Sequence, residues 1–370
     1  MNIMIAAGYA APKSGNFIAS ILALGRRLRE SGDRVVFVFP EEREWIRWLR
    51  EEKFAVEILS KSSKVGAKEA DQLLMLLKLI KKYQINLIHS HFGLFHHTLV
   101  FHRNKLENIK IIIHDHMGFG LSPNMAIQYF NLAAYSLLYR MKNINVIAVM
   151  EKKKKAYILL KNKWFVPNGL SLERYIHRSM GREECRKELG LKNSDKCVFL
   201  LGWDLKRKGL DIALKAVKKC REVDDNICFG MIGVGTTPTD YVKKFIQYET
   251  GIDPSEPWIH FFDSYEDMFA VYRAIDVYLM SSRHEGFPYA LLESISQEVP
   301  VVVSDIPSTN WARLYNNSYF YPTEDVDACA DTILRALSNG WKKTNSAEIV
   351  DRYGIDQWCD KVIEIYRTIK

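Results

Sequence analysis

In the segment HEGFPYALLESISQEVPVVVSD, residues 284–305, two carboxylates, Glu285 and Glu293, are separated by seven residues, and Gly286, Phe287 and Pro288 follow the first directly. The apolar run DVYLMSS precedes the segment and reads as a strand, so Glu285 falls in a loop at that strand's carboxyl end. Pro288, which has no N–H to leave unsatisfied, suits the first position of a helix. Glu293 then lies about 7.5 Å further along that helix, at about 1.5 Å per residue. Carboxylates only accept hydrogen bonds, so two of them aimed at one place suit a polyhydroxylated ligand such as a ribose or hexose. The backbone amides of Gly286 and Phe287, together with the helix N-terminus, suit its phosphates. Each glutamate also has an ordinary reading, because an acid near a helix start complements the dipole and Glu is a good helix former.

Other segments supply the complementary charges. LLGWDLKRKGLDIALKA, residues 200–216, follows a second strand of the same half and presents Lys206, Arg207 and Lys208 before Gly209 at a helix entrance. Cations there can hold a diphosphate, Arg through a bidentate fork and Lys as a point charge. Near the start, GYAAPKSGNFIASILALGRRL places Gly15 between a first strand and a first helix, where a residue without a side chain lets backbone approach a phosphate. GVGTTP, residues 233–238, also follows a strand but lacks the third glycine of the dinucleotide fingerprint, which argues against a nicotinamide cofactor. Seven of the ten histidines lie between positions 89 and 116, as His89, His91, His96, His97, His102, His114 and His116. The H-x-H pairs 89/91 and 114/116 each put two imidazoles on one strand face, a permissible metal geometry. A metal-dependent hydrolase built on that cluster is therefore the rival reading, although no carboxylate spacing makes the motif specific.

The elements that must position these groups are strands alternating with helices. NIMIAA, DRVVFVF, NLIHSH, KIIIHDH and NVIAVM are the strand candidates of the first half, and CVFLLGW, NICFGMIG, IHFFD, DVYLMSS and VPVVVSD those of the second. Strands so uniformly apolar belong to parallel sheets covered on both faces, and such sheets bind ligands at their strands' carboxyl ends. With 370 residues the chain can bury two cores. FVPNGL marks the boundary, because Pro167 extends the residue before it and Asn168-Gly169 makes a turn. We expect an α/β protein of two doubly wound domains, residues 1–167 and 168–345, with a cleft between them, and a C-terminal helix, residues 346–370, returning to the first.

Charge separates the halves. Residues 1–170 carry 26 Lys+Arg against 13 Asp+Glu, and residues 171–370 carry 26 against 31, or +13 against −5. The basic half points to an anionic partner such as phospholipid headgroups or a lipid-linked phosphate. Nucleic acid is disfavoured, because neither zinc-finger spacing nor an RNP-type aromatic motif is present. Two basic segments stand out: EREWIRWLREEKF, residues 42–54, whose Trp45, Trp48 and Leu49 share one helical face, and EKKKKAYILLKNKW, residues 151–164. Both are candidates for contact with anionic lipid, and an ordinary helix whose tryptophans face the core is the equal alternative for the first. No apolar run reaches membrane-spanning length, the N-terminus lacks a basic signal-peptide region, and six cysteines without a C-x-x-C pair read as reduced, buried thiols. The expectation is a cytoplasmic protein, peripheral on the inner face of the plasma membrane.

Taken together, FVPNGLSLERY, LGWDLKRKGLDIALKA and SSRHEGFPYALLESISQEVPVVVSDIPS resemble the GT-B-fold retaining glycosyltransferases, family four. The resemblance is strong after residue 165 and loose before it. It implies two Rossmann-like domains and transfer of a sugar, without a cofactor, from a nucleotide-sugar donor to a glycan or lipid-linked acceptor in bacterial cell-surface polysaccharide synthesis. It also implies particular roles. Lys208 with Arg207 neutralises the diphosphate leaving group, and Glu293 holds the ribose hydroxyls. Glu285 contacts the donor sugar, and Gly286 and Phe287 give backbone amides. Gly15 lines the diphosphate from the N-terminal side, and His116 of HDHMG lies beside the donor sugar. No metal is implied. The chain departs from the pattern at Trp203, where the family usually has Arg after the glycine of the LGW strand, and at Asn16 and Glu298, where glycine is common. A non-catalytic nucleotide-sugar-binding relative is the further alternative.

Overall fold

A computed structural model describes residues 1–59, 69–117, 125–172, 180–265, 268–341 and 346–369. Gly118 of HDHMG and Glu173 to Tyr175 of FVPNGLSLERY lie outside these residues. The chain divides into two compact units. Unit 1 comprises residues 1–169 and 355–370, and unit 2 comprises residues 170–354.

Unit 1 holds a parallel sheet of β1 (Asn2–Ala7), β2 (Arg34–Phe39), β3 (Ala55–Ile58), β4 (Leu87–His91), β5 (Lys110–Asp115), β6 (Asn145–Ala148) and β7 (Lys163–Phe165). The spatial order is β3-β2-β1-β4-β5-β6-β7. Unit 2 holds β8 (Lys196–Leu201), β9 (Ile227–Ile232), β10 (Ile259–Phe262), β11 (Val277–Met280), β12 (Val301–Ser304) and β13 (Ser318–Tyr321), all parallel, in the order β10-β9-β8-β11-β12-β13. Both orders are doubly wound. The direction of winding reverses between β1 and β4 in unit 1 and between β8 and β11 in unit 2, and these switch points are where such sheets open a crevice at their carboxyl ends.

The central strands are almost wholly buried, β1 beyond its first residue and β9 along its whole length, as helices on both faces require. The core of unit 1 is built from Met4, Ile88, Ile111, Val146 and Leu99 and their neighbours. All six cysteines are free and buried. The expected domain ends at 167/168 and 345/346 give way to divisions after Gly169 and Gly354. The helix Ser346–Tyr353 therefore goes with unit 2, and the helix Ile355–Thr368 packs on the helix Gly15–Glu30 of unit 1. There Arg27 pairs with Asp356 at 2.8 Å and also with Asp360.

Of the two readings of residues 42–54, the core-facing one holds for Trp45 and Leu49. Trp45 and Leu49 do share a face, but that face points inward: they are 1% and 0% exposed. The Trp45 ring meets Phe39 edge-on at 5.0 Å, and its Nε1 donates to the Ala11 carbonyl at 3.1 Å. Periodicity identified the shared face and could not say what covers it.

Candidate functional site

In unit 2 the two loops that flank the switch point are stitched together. Gly209 caps the helix Leu210–Arg221 with φ 68°, a left-handed conformation that side chains disfavour. A Cβ there would stand 2.1 Å from the Ser281 carbonyl oxygen. Ser281, just beyond β11, donates its hydroxyl to the carbonyls of Lys208 at 2.8 Å and Gly209 at 3.0 Å. The Arg283 N–H donates to the Arg207 carbonyl at 2.8 Å, and the Arg283 guanidinium grips Asp211 at 2.8 Å. Neighbouring strands thus hold the KRKG turn and the HEGFP loop in one register.

That register brings opposite charges into contact. Lys208 Nζ lies 2.7 Å and Arg207 Nη1 3.1 Å from Glu285 Oε1, which also accepts the Ser282 hydroxyl at 2.8 Å. Burial by itself would raise the Glu285 pKa, but the charges of Lys208 and Arg207 and the hydrogen bonds outweigh it, so the group stays ionised below its ordinary range. Arg207 is oriented further by Asp204, with Nε 2.9 Å from Oδ2.

Glu293, on the helix Tyr289–Ser296, is buried and accepts the Tyr272 hydroxyl on Oε2 at 2.6 Å. Pro288 is the cap of this helix, one position earlier than the sequence implied. Gly286 is buried beside Glu285. The Phe287 ring stacks on Trp311 at 4.9 Å and meets Tyr353 at 5.3 Å, which fixes the loop from behind. Sequence reasoning did not single out Ser281, Arg283, Asp211 or Tyr272. The serines immediately after the apolar run of β11 were the available signal.

In unit 1, Gly15 follows β1 and the paired histidines lie on or just beyond β4 and β5, whereas His96, His97 and His102 lie on or just after the short helix that follows β4. Gly15 begins the helix Gly15–Glu30 after β1, with φ 57°. His89 and His91 on β4 adjoin His114 on β5 and His116 just beyond it. His89 Nδ1 bonds the Tyr366 hydroxyl at 2.6 Å and its Nε2 bonds His114 Nδ1 at 3.1 Å. His91 Nδ1 bonds His116 Nε2 at 2.9 Å. Phe92, whose φ of 51° is unusual for an aromatic residue, stacks on His116 at 4.3 Å. Burial pushes these imidazoles down, His89 to about 3 and His116 to about 4, so they are neutral.

Donor nitrogens of His89, His91 and His114 lie within 4.8 Å of one another, close enough to hold an ion. Both nitrogens of His89 have partners, Tyr366 and His114 itself. Binding a cation through His89 would require breaking one of those bonds. His91 Nε2 and His114 Nε2 are buried without a hydrogen-bond partner among the described residues, so these two imidazoles keep a nitrogen that could face an ion.

Residues 181–355 match the family of glycosyl transferases group 1, a stretch that covers nearly all of unit 2 and contains both stitched loops. Unit 2 thus carries the domain of the glycosyl transferases group 1. This glycosyltransferase is 22% identical over 315 residues to the Escherichia coli UDP-Gal:alpha-D-GlcNAc-diphosphoundecaprenol alpha-1,3-galactosyltransferase, across 81% of this chain and 79% of that one. It is 26% identical over 223 residues to the D-inositol 3-phosphate glycosyltransferase of Corynebacterium urealyticum, across 55% of this chain and 50% of that one. Among solved structures, Anabaena HepE in complex with UDP and glucose superposes with a TM-score of 0.76 at 16% identity, over 100% of both chains. The fold of the glycosyltransferase is therefore GT-B, with two Rossmann-like domains. No helix among the described residues is long and apolar enough to cross a membrane.

Proposed function

We propose that the enzyme moves a sugar from a uridine-nucleotide donor, held by unit 2, to a glycan or lipid-linked acceptor in bacterial cell-surface polysaccharide synthesis, on the cytoplasmic side. One observation carries the donor assignment: the cations Lys208 and Arg207 and the anion Glu285 converge at the carboxyl-end switch point of unit 2. HepE, a structural relative, was crystallised with UDP and glucose, and the E. coli relative is named for UDP-galactose and a diphosphoundecaprenol-linked sugar. Both facts support this choice of substrates.

In the proposed reaction the bond between the anomeric carbon and the diphosphate oxygen breaks, and its electron pair stays on the diphosphate. Lys208 and Arg207 stabilise that developing charge, the kind of contribution for which one lost donor costs about 3 to 4 kcal/mol. Glu285, released from Lys208 by the entering diphosphate, accepts a hydrogen bond from a sugar hydroxyl. Glu293 accepts from the ribose, and the amides of Gly286 and Phe287 bind the donor. The acceptor hydroxyl attacks from the face the diphosphate leaves, passing its proton to that diphosphate, so configuration is retained. His116 and Gly15 carry the roles proposed for unit 1, next to the sugar and the diphosphate respectively. The scheme uses no cofactor, and its positive charges are the protein's own.

Titration calorimetry with a panel of nucleotide sugars, in the presence of a chelator, tests the assignment. Binding of a UDP-sugar that Glu285→Gln weakens about tenfold or more supports it, on the scale of a lost charge-assisted hydrogen bond. A panel without any binding, or activity abolished by the chelator, removes it, and the second result revives the hydrolase alternative on the histidine cluster.

A further inference from the structure

The helix Met125–Met141 turns apolar side chains towards solvent. Ile127, Phe130, Ala134, Leu137 and Met141 recur at i, i+3, i+7, i+10 and i+14, which places them on one face, and all five are exposed, Phe130 and Met141 to 74%. Ser136 and Tyr139 occupy the buried side. A helix on a globular surface ordinarily presents polar residues where this one presents its stripe. The loop after the helix Glu151–Ala156 adds Ile158, 65% exposed, and is tied to the same helix by the Leu159 N–H donating to Ser136 Oγ at 2.9 Å.

Cations accompany this apolar surface. Residues 125–163 contain eight Lys and Arg and a single acid, Glu151. Arg140, Lys152, Lys155 and Lys161 are exposed, whereas Lys153 is buried against Asp115 and takes no part.

We propose that this face of unit 1 docks on an anionic phospholipid bilayer, with Phe130, Leu137 and Met141 entering the headgroup boundary and Arg140, Lys155 and Lys161 meeting lipid phosphates. An apolar stripe with basic companions is complementary to such a surface on both counts. The partner and the basic segment 151–164 are those expected from sequence, but the apolar stripe of the helix Met125–Met141 takes the place of Trp45 and Leu49, which are turned inward. The purpose rests on the lipid-linked acceptor proposed above: docking would bring the enzyme to the plane where that acceptor lies.

The test is flotation of the full chain with vesicles of phosphatidylcholine alone and of an equal mixture with phosphatidylglycerol. Recovery with the mixed vesicles and little with the neutral ones is expected, weakening in high salt. The double variant Phe130→Ser with Met141→Ser should lose recovery about tenfold, and Lys155→Glu with Lys161→Glu should do the same without touching the stripe. Thermal melts of both variants establish that they fold. Equal recovery from both vesicle types, or unchanged recovery in both variants, overturns the proposal. So does self-association by light scattering that the serine variant abolishes, which would make a second copy the occupant. UDP-sugar binding measured without vesicles keeps the two readings apart. Its absence alongside intact flotation would sink the donor assignment and leave the docking surface standing.

Discussion

Lys208 Nζ lies 2.7 Å from Glu285 Oε1, although 77 residues separate the two in sequence. They meet because the loops carrying them follow β8 and β11, neighbours in the sheet but not in the chain. Replacing Lys208 with Met keeps the stem and removes the charge. The turnover number with a UDP-sugar should fall by about a hundredfold to a thousandfold, as when a transition-state donor is lost. Initial rates at saturating donor decide it, and an unchanged turnover number would refute the leaving-group role.

Gly209 is the residue whose replacement should be felt in stability. In Gly209→Ala the new methyl group meets a backbone carbonyl, not the yielding tip of a side chain, and the φ of 68° strains any L residue. A loss of about 2 kcal/mol or more is expected in urea unfolding, on the scale of combined strain and overpacking. Gly251 is also at positive φ, but a methyl group added there would meet nothing within 4 Å. Gly251→Ala should therefore cost only the backbone strain, and it serves as the comparison.

Tyr272 holds Glu293 at 2.6 Å from within the core. Tyr272→Phe removes the hydroxyl and leaves the carboxylate to be held by its other contacts. If Glu293 binds the ribose, nucleotide affinity should fall by about tenfold, matching about 1.4 kcal/mol, while the turnover number changes much less. Calorimetry with UDP alone measures it, and unaltered affinity in both Tyr272→Phe and Glu293→Gln would remove the ribose role.

The neutral histidine stack makes stability depend on pH. His89, at about 3, and His116, at about 4, lie below the ordinary imidazole value of 6.5, so the unfolded chain binds protons that the folded one refuses. Their contribution is complete above pH 6.5 and is lost as pH falls towards 3 to 4. Well below 6.5 the loss approaches about 1.4 kcal/mol per pH unit for each such imidazole. Urea midpoints between pH 7 and pH 5 should therefore decline, and His89→Phe, which cannot take a proton, should flatten the slope even if it lowers stability throughout.

The central strands and the glutamate loop were legible in sequence because uniformly apolar runs and a proline after a charged loop have few other meanings. The strands β3, β7 and β13 were not. All three lie at sheet edges, and Ala55–Ile58 and Lys163–Phe165 are short and incompletely buried, so their composition is mixed. Glu285 was recognisable as a site residue, yet the Arg283 clamp behind it was not, since its partners Asp211 and Glu324 are far away in sequence. The outward stripe of Phe130 and Met141 escaped notice because the whole segment is apolar, and only the packing of Tyr139 and Ser136 reveals which side remains uncovered.

Leu170 donates its N–H to the Tyr353 carbonyl at 2.7 Å and bridges Gly354, so unit 2 begins and ends at the same spot. It is an insertion in unit 1, whose last helix supplies Tyr366 to His89. During synthesis the nascent first unit must wait, with His89 Nδ1 lacking its tyrosine, while every residue of the second leaves the ribosome. The second unit has all its strands before that, and the helix Ile355–Thr368 then completes the first.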